Sequence, residues 1–234
     1  MAYKVFLLDD SKEVKIYKRK KAKNLRLSID PKGVIKVSIP IWVPYKTGLD
    51  FARSRRAWIS ANHKLKAVLD DNQAIGKAHH LSFVASAAKS SVTSRVSGTS
   101  IIVSHPVSMN PNQDEVQSVA EKACIRALRQ EAETLLPQRL ESLANKYGFV
   151  YKSCSIKNLK SRWGSCDQKK NIVLSLFLMQ MPWELIDYVL MHELTHTNVL
   201  RHGPPFWQAM ETNLPGTKSY KSKLRAYQPV LMVS

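Results

Sequence analysis

Apolar and polar residues alternate through residues 14–20 and 24–30, and again through Val34-Ile35-Lys36-Val37-Ser38-Ile39. A period of two predicts strands with one covered face. The turn residues Asp30-Pro31-Lys32-Gly33 join them into a hairpin within a meander, which Pro40 and Pro44 end. From Thr47 to about Leu69 the period lengthens to that of a helix, with Leu49, Ala52, Ala57, Trp58, Ile59 and Leu65 toward a core. Short strands return from Leu81 to Ser104, with a turn at Ser97-Gly98-Thr99. Asn112 to Tyr147 predicts a long helix with a stripe of Val116, Val119, Ala123, Ala127, Leu128, Leu135, Leu140 and Leu143, bent or interrupted near Pro137 and ended by Gly148. Phe149–Ile156 and Asn171–Leu176 read as strands, and Pro182 to about Leu200 as a helix. The pattern is α+β. It suggests a β-rich part with one helix over residues 1–110 and a helical core over 111–234, the N-terminal strands sharing that core.

The last of these helices carries His192-Glu193-Leu194-Thr195-His196, an H-E-x-x-H motif. Residues four apart lie on one helix face, so both imidazoles can reach one zinc ion. The glutamate beside the first histidine is then placed as general base toward a water at that ion. Pro182 suits a first helical position, and Glu184 and Asp187 complement the N-terminal dipole. Leu185 and Val189 share the histidine face; Ile186, Leu190 and Leu194 make an adjoining apolar stripe. A glutamate within so apolar a stretch asks for a reason.

A catalytic zinc has three protein ligands and an open fourth position. His202, six residues after His196, is the natural third. The spacing equals that of metzincins, but their turn glycine would fall at Val199. The expectation is therefore a helix continuing to about Leu200. Gly203, Pro204 and Pro205 then break the chain and begin another helix with Phe206, Trp207 and Met210 as its buried side.

Taken in order, Arg162-Trp163-Gly164-Ser165-Cys166, Asn171-Ile172-Val173-Leu174-Ser175, Pro182, Ile186-Asp187-Tyr188-Val189, His192–His196, His202 and Phe206-Trp207 resemble the YgjP-like metal-dependent hydrolases, zincin-type proteins grouped with metallopeptidases. The likeness is close over 157–227. It is looser in the N-terminal part, through Asn24–Ile29 and Arg56-Ala57-Trp58-Ile59. His202-Gly203-Pro204-Pro205-Phe206 also resembles the third-ligand turn of SprT-like proteases, which act on DNA-bound proteins. The family more often has Asn-His-Ser where this chain has Arg201-His202-Gly203. That departure keeps the ligand and removes the contacts of the usual asparagine and serine. The resemblance implies one zinc on His192, His196 and His202, with Glu193 as base. It also implies a zincin-like core with Asn171–Leu176 as the edge strand along which an extended peptide lies. Family members are variously described as peptidases, metal-dependent hydrolases and UTP pyrophosphatases.

Charge adds a second theme. The net charge is +18, with 15 Lys and Arg against 5 Asp and Glu in residues 1–60 and 11 against 5 in 121–180. Lys15, Lys18, Arg19, Lys20, Lys21, Lys23 and Arg26 form one cluster; Arg53, Arg55 and Arg56 a second; Lys157, Lys160 and Arg162 a third. Such a field attracts polyanions without sequence readout, and no helix-turn-helix, zinc-finger or RNP-type pattern is visible. Three cysteines suit a reducing cytoplasm better than a disulfide framework. No run of apolar residues is long enough to span a bilayer. His63, His79, His80 and His105 lack partners at ligand spacing and read as structural or surface residues; Cys166 reads as a small packed residue.

The expected activity is zinc-dependent peptide hydrolysis, with nucleic-acid recruitment by the basic surface as an adjunct. Arg162 is the first candidate oxyanion donor and Tyr220 a second, with Lys218 weaker. Trp163 and Trp207 read as core. The alternatives are a metal-dependent nucleotide phosphohydrolase and a nucleic-acid-binding protein with a structural zinc. Scarce carboxylates near the motif weigh against the first, Glu193 against the second.

Overall fold

A computed structural model describes residues 3–8, 12–29, 33–62, 68–159, 161–227 and 229–231. The expected turn residues Asp30–Lys32, and His63, Leu65 and Lys160, lie outside the described residues. The chain divides into two compact units at Ala67/Val68. This differs from a boundary near residue 110, for a physical reason. The strands of residues 74–106 bury Ile75, Leu81, Ile101 and Val103 in one cluster with the long helix, whereas the first strands have a core of their own.

The first unit is a four-stranded sheet with two helices. Its strands are β1 (Tyr3–Leu7), β2 (Glu13–Arg19), β3 (Arg26–Ile29) and β4 (Ile35–Pro40), in spatial order β1-β2-β4-β3. The hairpin β3–β4 forms as expected, with Gly33 at φ 78°. It is not part of a meander: β2 pairs with β4 in parallel and so displaces β3 to the edge. Alternation sends Val14, Ile16, Ile35, Val37 and Ile39 to the buried side. That side packs on α1 (Tyr45–Ser54), where Gly48 lets Ile16 and Ile39 approach the helix backbone. The single helix expected from Thr47 breaks at Arg55 into α1 and α2 (Arg56–Asn62). The break rotates the second piece: Ile59 is buried, while Ala57 and Trp58 are exposed rather than core-facing.

The second unit is built on one long helix. Strands β5 (Ala74–Ile75), β6 (His79–Ser86), β7 (Thr93–Ser97) and β8 (Ser100–Pro106) form a sheet ordered β5-β6-β8-β7. Helix α3 (Asp114–Tyr147) runs unbroken through Pro137 and ends at Gly148, whose φ of 70° is the left-handed cap. Its buried residues Val116, Ala120, Ala123, Ala127, Leu128, Leu136 and Leu140 follow the helical period. A three-stranded sheet follows: β9 (Ser153–Lys157), β10 (Gly164–Cys166) and β11 (Asn171–Ser175), ordered β10-β11-β9. Strand β9 is shorter than expected and starts only at Ser153. The strand expected at the edge, Asn171–Leu176, is central as β11, with β10 and β9 at the two edges.

A 3-10 turn (Leu176–Gln180) leads into α4 (Trp183–His196), then α5 (Pro204–Asn213) and α6 (Thr217–Ala226). Pro182 stands one position before α4, its carbonyl accepting from Leu185 and Ile186. Asp187 of α4 takes a bidentate pair of hydrogen bonds from Arg139 of α3, at 2.8 and 2.6 Å. Buried Glu131 of α3 receives the N–H groups of Lys77, Ala78 and His79 and the His79 ring. A Cβ on Gly76 would collide with that carboxylate. Lys77 in turn donates its Nζ to the Met181 carbonyl just ahead of α4. The start of α4 is thus pinned to α3 and to the β5–β6 turn. Among the described residues no helix is long and apolar enough to cross a membrane.

Candidate metal centre and cleft

Helix α4 is buried nearly all round, and its H-E-x-x-H segment lies in its last turns. His196 and Glu193 are 7% and 4% exposed. The helix stops at His196, four residues sooner than expected. Thr195 and Thr197 turn their hydroxyls onto the Met191 and Leu194 carbonyls, and Val199 N–H still reaches Thr195. The chain therefore turns without glycine: Val199 is not among the residues with positive φ. The turn brings His202 back over the helix. The Nε2 atoms of His192, His196 and His202 form a triangle with sides of 3.3, 3.1 and 2.9 Å. Tetrahedral zinc with bonds of about 2.05 Å to nitrogen separates its ligands by about 3.3 Å.

Two further observations fit a cation here. His196 Nδ1 lies 3.1 Å from the Val199 carbonyl. A carbonyl only accepts, so Nδ1 holds the proton and Nε2 presents its lone pair to the triangle. Burial, with His196, His202 and Lys221 nearby, pushes the His192 imidazole down to about 3, so it stays neutral and able to bind metal. Phe206, fully buried on α5, supports all three rings, with centroids 4.9, 4.5 and 4.8 Å away. Gly203 precedes α5, with Pro204 and Pro205 in its first turn. These residues set both the His202 turn and the Phe206 support.

Glu193 reaches past the triangle toward β10. Burial pushes its carboxyl up to about 8, and the Arg162 guanidinium opposes the shift. Its Oε2 is buried without a hydrogen-bond partner. The side chain lies against Gly164, where an added Cβ would stand 2.7 Å from Oε1 and 2.9 Å from Cγ. Gly164 is therefore part of the site because it has no side chain. Ser175 N–H donates to the Trp163 carbonyl at 2.8 Å, and Asp167 N–H to the Asn171 carbonyl at 3.1 Å. In an antiparallel ladder inward and outward groups alternate. Gly164 and Cys166 consequently turn their main-chain groups to the open edge.

A cleft of about 570 Å³ joins these parts. His192, Glu193 and His202 form its floor, Trp163, Gly164 and Arg162 one wall, and Tyr188, Lys221, Leu224 and Arg225 belong to its lining with Trp207. Lys221 Nζ lies 4.0 Å from the centre of the Trp207 ring. Arg162 lines the cleft. Trp163 and Trp207 are half-buried cleft walls rather than core alone. Tyr220 stacks on Tyr188 at 5.9 Å and is not among the lining residues, nor is Lys218. Burial and the charges of Glu193 and Asp167 push the Cys166 thiol up to about 11, and it is outside the histidine group. Sequence reasoning missed Gly164, Tyr188, Lys221 and Arg225. The spacing of Lys221, Leu224 and Arg225 on one helix face was the available signal.

The YgjP-like, metallopeptidase domain family matches residues 23–227. The chain belongs to this family. It is thereby a metal-dependent hydrolase of metallopeptidase type, and the resemblance read from its motifs holds over both units. No curated protein matches the chain. Two solved structures are similar over part of it. The metallopeptidase zymogen abylysin of Pyrococcus abyssi is 23% identical, with 39% of this chain and 93% of that chain covered at a TM-score of 0.36. The zymogen jannalysin of Methanocaldococcus jannaschii is 17% identical, with 44% and 92% covered at a TM-score of 0.33.

Proposed function

We propose that this YgjP-like chain is a zinc endopeptidase that takes an extended peptide along the outer edge of β10. The observation that carries the reading is a buried carboxylate, Glu193, lodged between three converging imidazoles and a glycine-lined strand edge. His192, His196 and His202 would hold one zinc ion. When bound, the ion supplies Lewis acidity that acidifies water and polarises a carbonyl. Glu193 takes the proton of the attacking water and delivers it to the leaving nitrogen. The outward main-chain groups of Gly164 and Cys166 pair with the substrate backbone and fix the scissile bond above Glu193. Arg162 stabilises the charge that develops on the carbonyl oxygen. Among the described residues of the cleft lining Glu193 is the one carboxylate, whereas Arg162, Lys221 and Arg225 are cationic. Peptides with acidic residues near the scissile bond should be preferred.

Those three cations also favour a second reading, hydrolysis of a nucleotide such as UTP. Peptide is the stronger reading, because an open strand edge recognises amide backbone and, among the described residues, the site has no carboxylate cluster for a second metal. A purely structural zinc gives Glu193 no task. The deciding experiment loads the protein with zinc and offers an unstructured protein or UTP, with Glu193→Gln alongside. Peptide cleavage by wild type, lost by about 10²-fold or more in the variant with zinc retained, supports the reading. Hydrolysis of UTP alone replaces it with the second.

A further inference from the structure

The first unit has a surface that the hydrolase reading does not use. Helix α1 covers only one face of its sheet. Lys4 and Lys18 reach over the Tyr45 ring and Phe6 packs beside it, so these residues lie on the covered side. Alternation leaves Tyr3, Val5 and Leu7 of β1, Lys15, Tyr17 and Arg19 of β2, Lys36 and Ser38 of β4, and Arg26 and Ser28 of β3 on the opposite face. Strand register arranges them in rows. One row runs Tyr3, Tyr17, Ser38, Arg26; the next runs Val5, Lys15, Lys36, Ser28. Tyr17, Arg19, Arg26, Ser28, Lys36 and Ser38 line a concavity of about 270 Å³.

Charge and shape there point to one ligand chemistry. Four cations share the face, and Glu13 at its rim is the one carboxylate on these strand positions among the described residues. Lys15 and Lys36 occupy partnered positions on neighbouring strands. Tyr3 and Tyr17 pack as a tilted pair with ring centroids 5.1 Å apart, Lys15 Nζ lies 5.4 Å from the centre of the Tyr3 ring, and Tyr3 is 47% exposed. Aromatic rings on a sheet offer stacking surface to unpaired bases, while surrounding cations track the backbone. Double-stranded nucleic acid hides its base faces, and this face has no helix to enter a groove.

We propose that the open face of the first sheet binds single-stranded nucleic acid, with phosphates on Lys15, Arg19, Arg26 and Lys36 and bases against Tyr3 and Tyr17. Binding carries no sequence code, because the side chains that stack and neutralise read no base edges. It does not depend on the activity of the cleft.

Fluorescence anisotropy of the full chain with a labelled oligothymidine tests this across a salt series. Four phosphates neutralised on a single strand give a slope of log K against log salt of about −3. Tyr17→Ala should weaken binding about tenfold and leave the slope unchanged. Arg19→Glu with Arg26→Glu should halve the slope; if that pair does not fold, Arg19→Gln with Arg26→Gln makes the same point. Lys46→Glu with Arg56→Glu, on the helices, changes net charge equally and should leave the slope near its starting value. The proposal falls if the helix pair weakens binding as much as the face pair. It also falls if Tyr17→Ala has no effect, if duplex DNA binds as tightly as single strand, or if anionic phospholipid vesicles displace the oligonucleotide.

Discussion

Replacing Gly164 with alanine tests the geometry of the centre with the least chemistry. Gly164 has no left-handed φ, so its backbone accepts alanine, and the added methyl acts only by contact. The contact is severe: 2.7, 2.9 and 3.0 Å to Oε1, Cγ and Cδ of Glu193. Ordinary separation is about 3.5 Å, so the carboxylate must withdraw by about 0.5–1 Å. Displacing a reacting group by about 1 Å costs about 10²-fold in rate, equivalent to about 2.7 kcal/mol of barrier. Overpacking a buried side chain costs about 1–3 kcal/mol of stability. The expected variant is folded, binds zinc as wild type does, and has kcat/KM on a peptide lowered about 100-fold. Urea unfolding separates the contact from a mere block of the strand edge. In a Glu193→Ala background the methyl meets vacated space, so Gly164→Ala should cost little there, leaving a coupling of about 1–3 kcal/mol. Gly164→Ala with cleavage within about twofold of wild type, or with equal stability costs in both backgrounds, would refute the reasoning.

Three further outcomes follow from other contacts. His202→Ala, or a chelator, should abolish cleavage, and zinc at 100 times its Kd should add about 2.7 kcal/mol to the stability of wild type but not of the variant; equal thermal shifts for both would place the metal elsewhere. Glu131→Ala orphans three N–H groups and the His79 ring around a buried carboxylate site. It should cost about 3 kcal/mol or more by urea unfolding, whereas Arg139→Ala, at a pair 44% and 20% exposed, should cost about 1 kcal/mol or less. Lys221→Glu with Arg225→Glu should reverse the choice between otherwise identical peptides with Asp or Ala flanking the scissile bond; a competition assay with unchanged selectivity would remove those cations from substrate recognition.

Local pattern carried much of this molecule. Alternation and turn residues are properties of short segments, so the β3–β4 hairpin, the strands of 79–106 and helix α3 were legible. So was the histidine group, because i and i+4 on a helix and a third histidine just before a Gly-Pro-Pro break are spacings along the chain. Where competing local signals meet, tertiary context decided. Helix α4 ended at His196 because the Thr197 N–H and hydroxyl take the Leu194 carbonyl and the Asn198 and Val199 N–H groups take that of Thr195, a closing turn which Val199 and Leu200 at helical spacing do not reveal. The order of strands was also invisible: the parallel insertions of β4 beside β2 and of β11 beside β9 are long-range pairings. The second of them made Asn171–Ser175 a central strand, with β10 and β9 as the edges. The same holds for Gly164, Lys221 and Arg225. Their sequence neighbourhood shows a shared helix face for Lys221 and Arg225 and a motif around Gly164, but only folding brings β10 and α6 to the histidines. The residues able to hold a metal are set by helical repeat, a local quantity. The walls that choose a substrate are set by packing between elements distant in sequence, and only the folded chain specifies those.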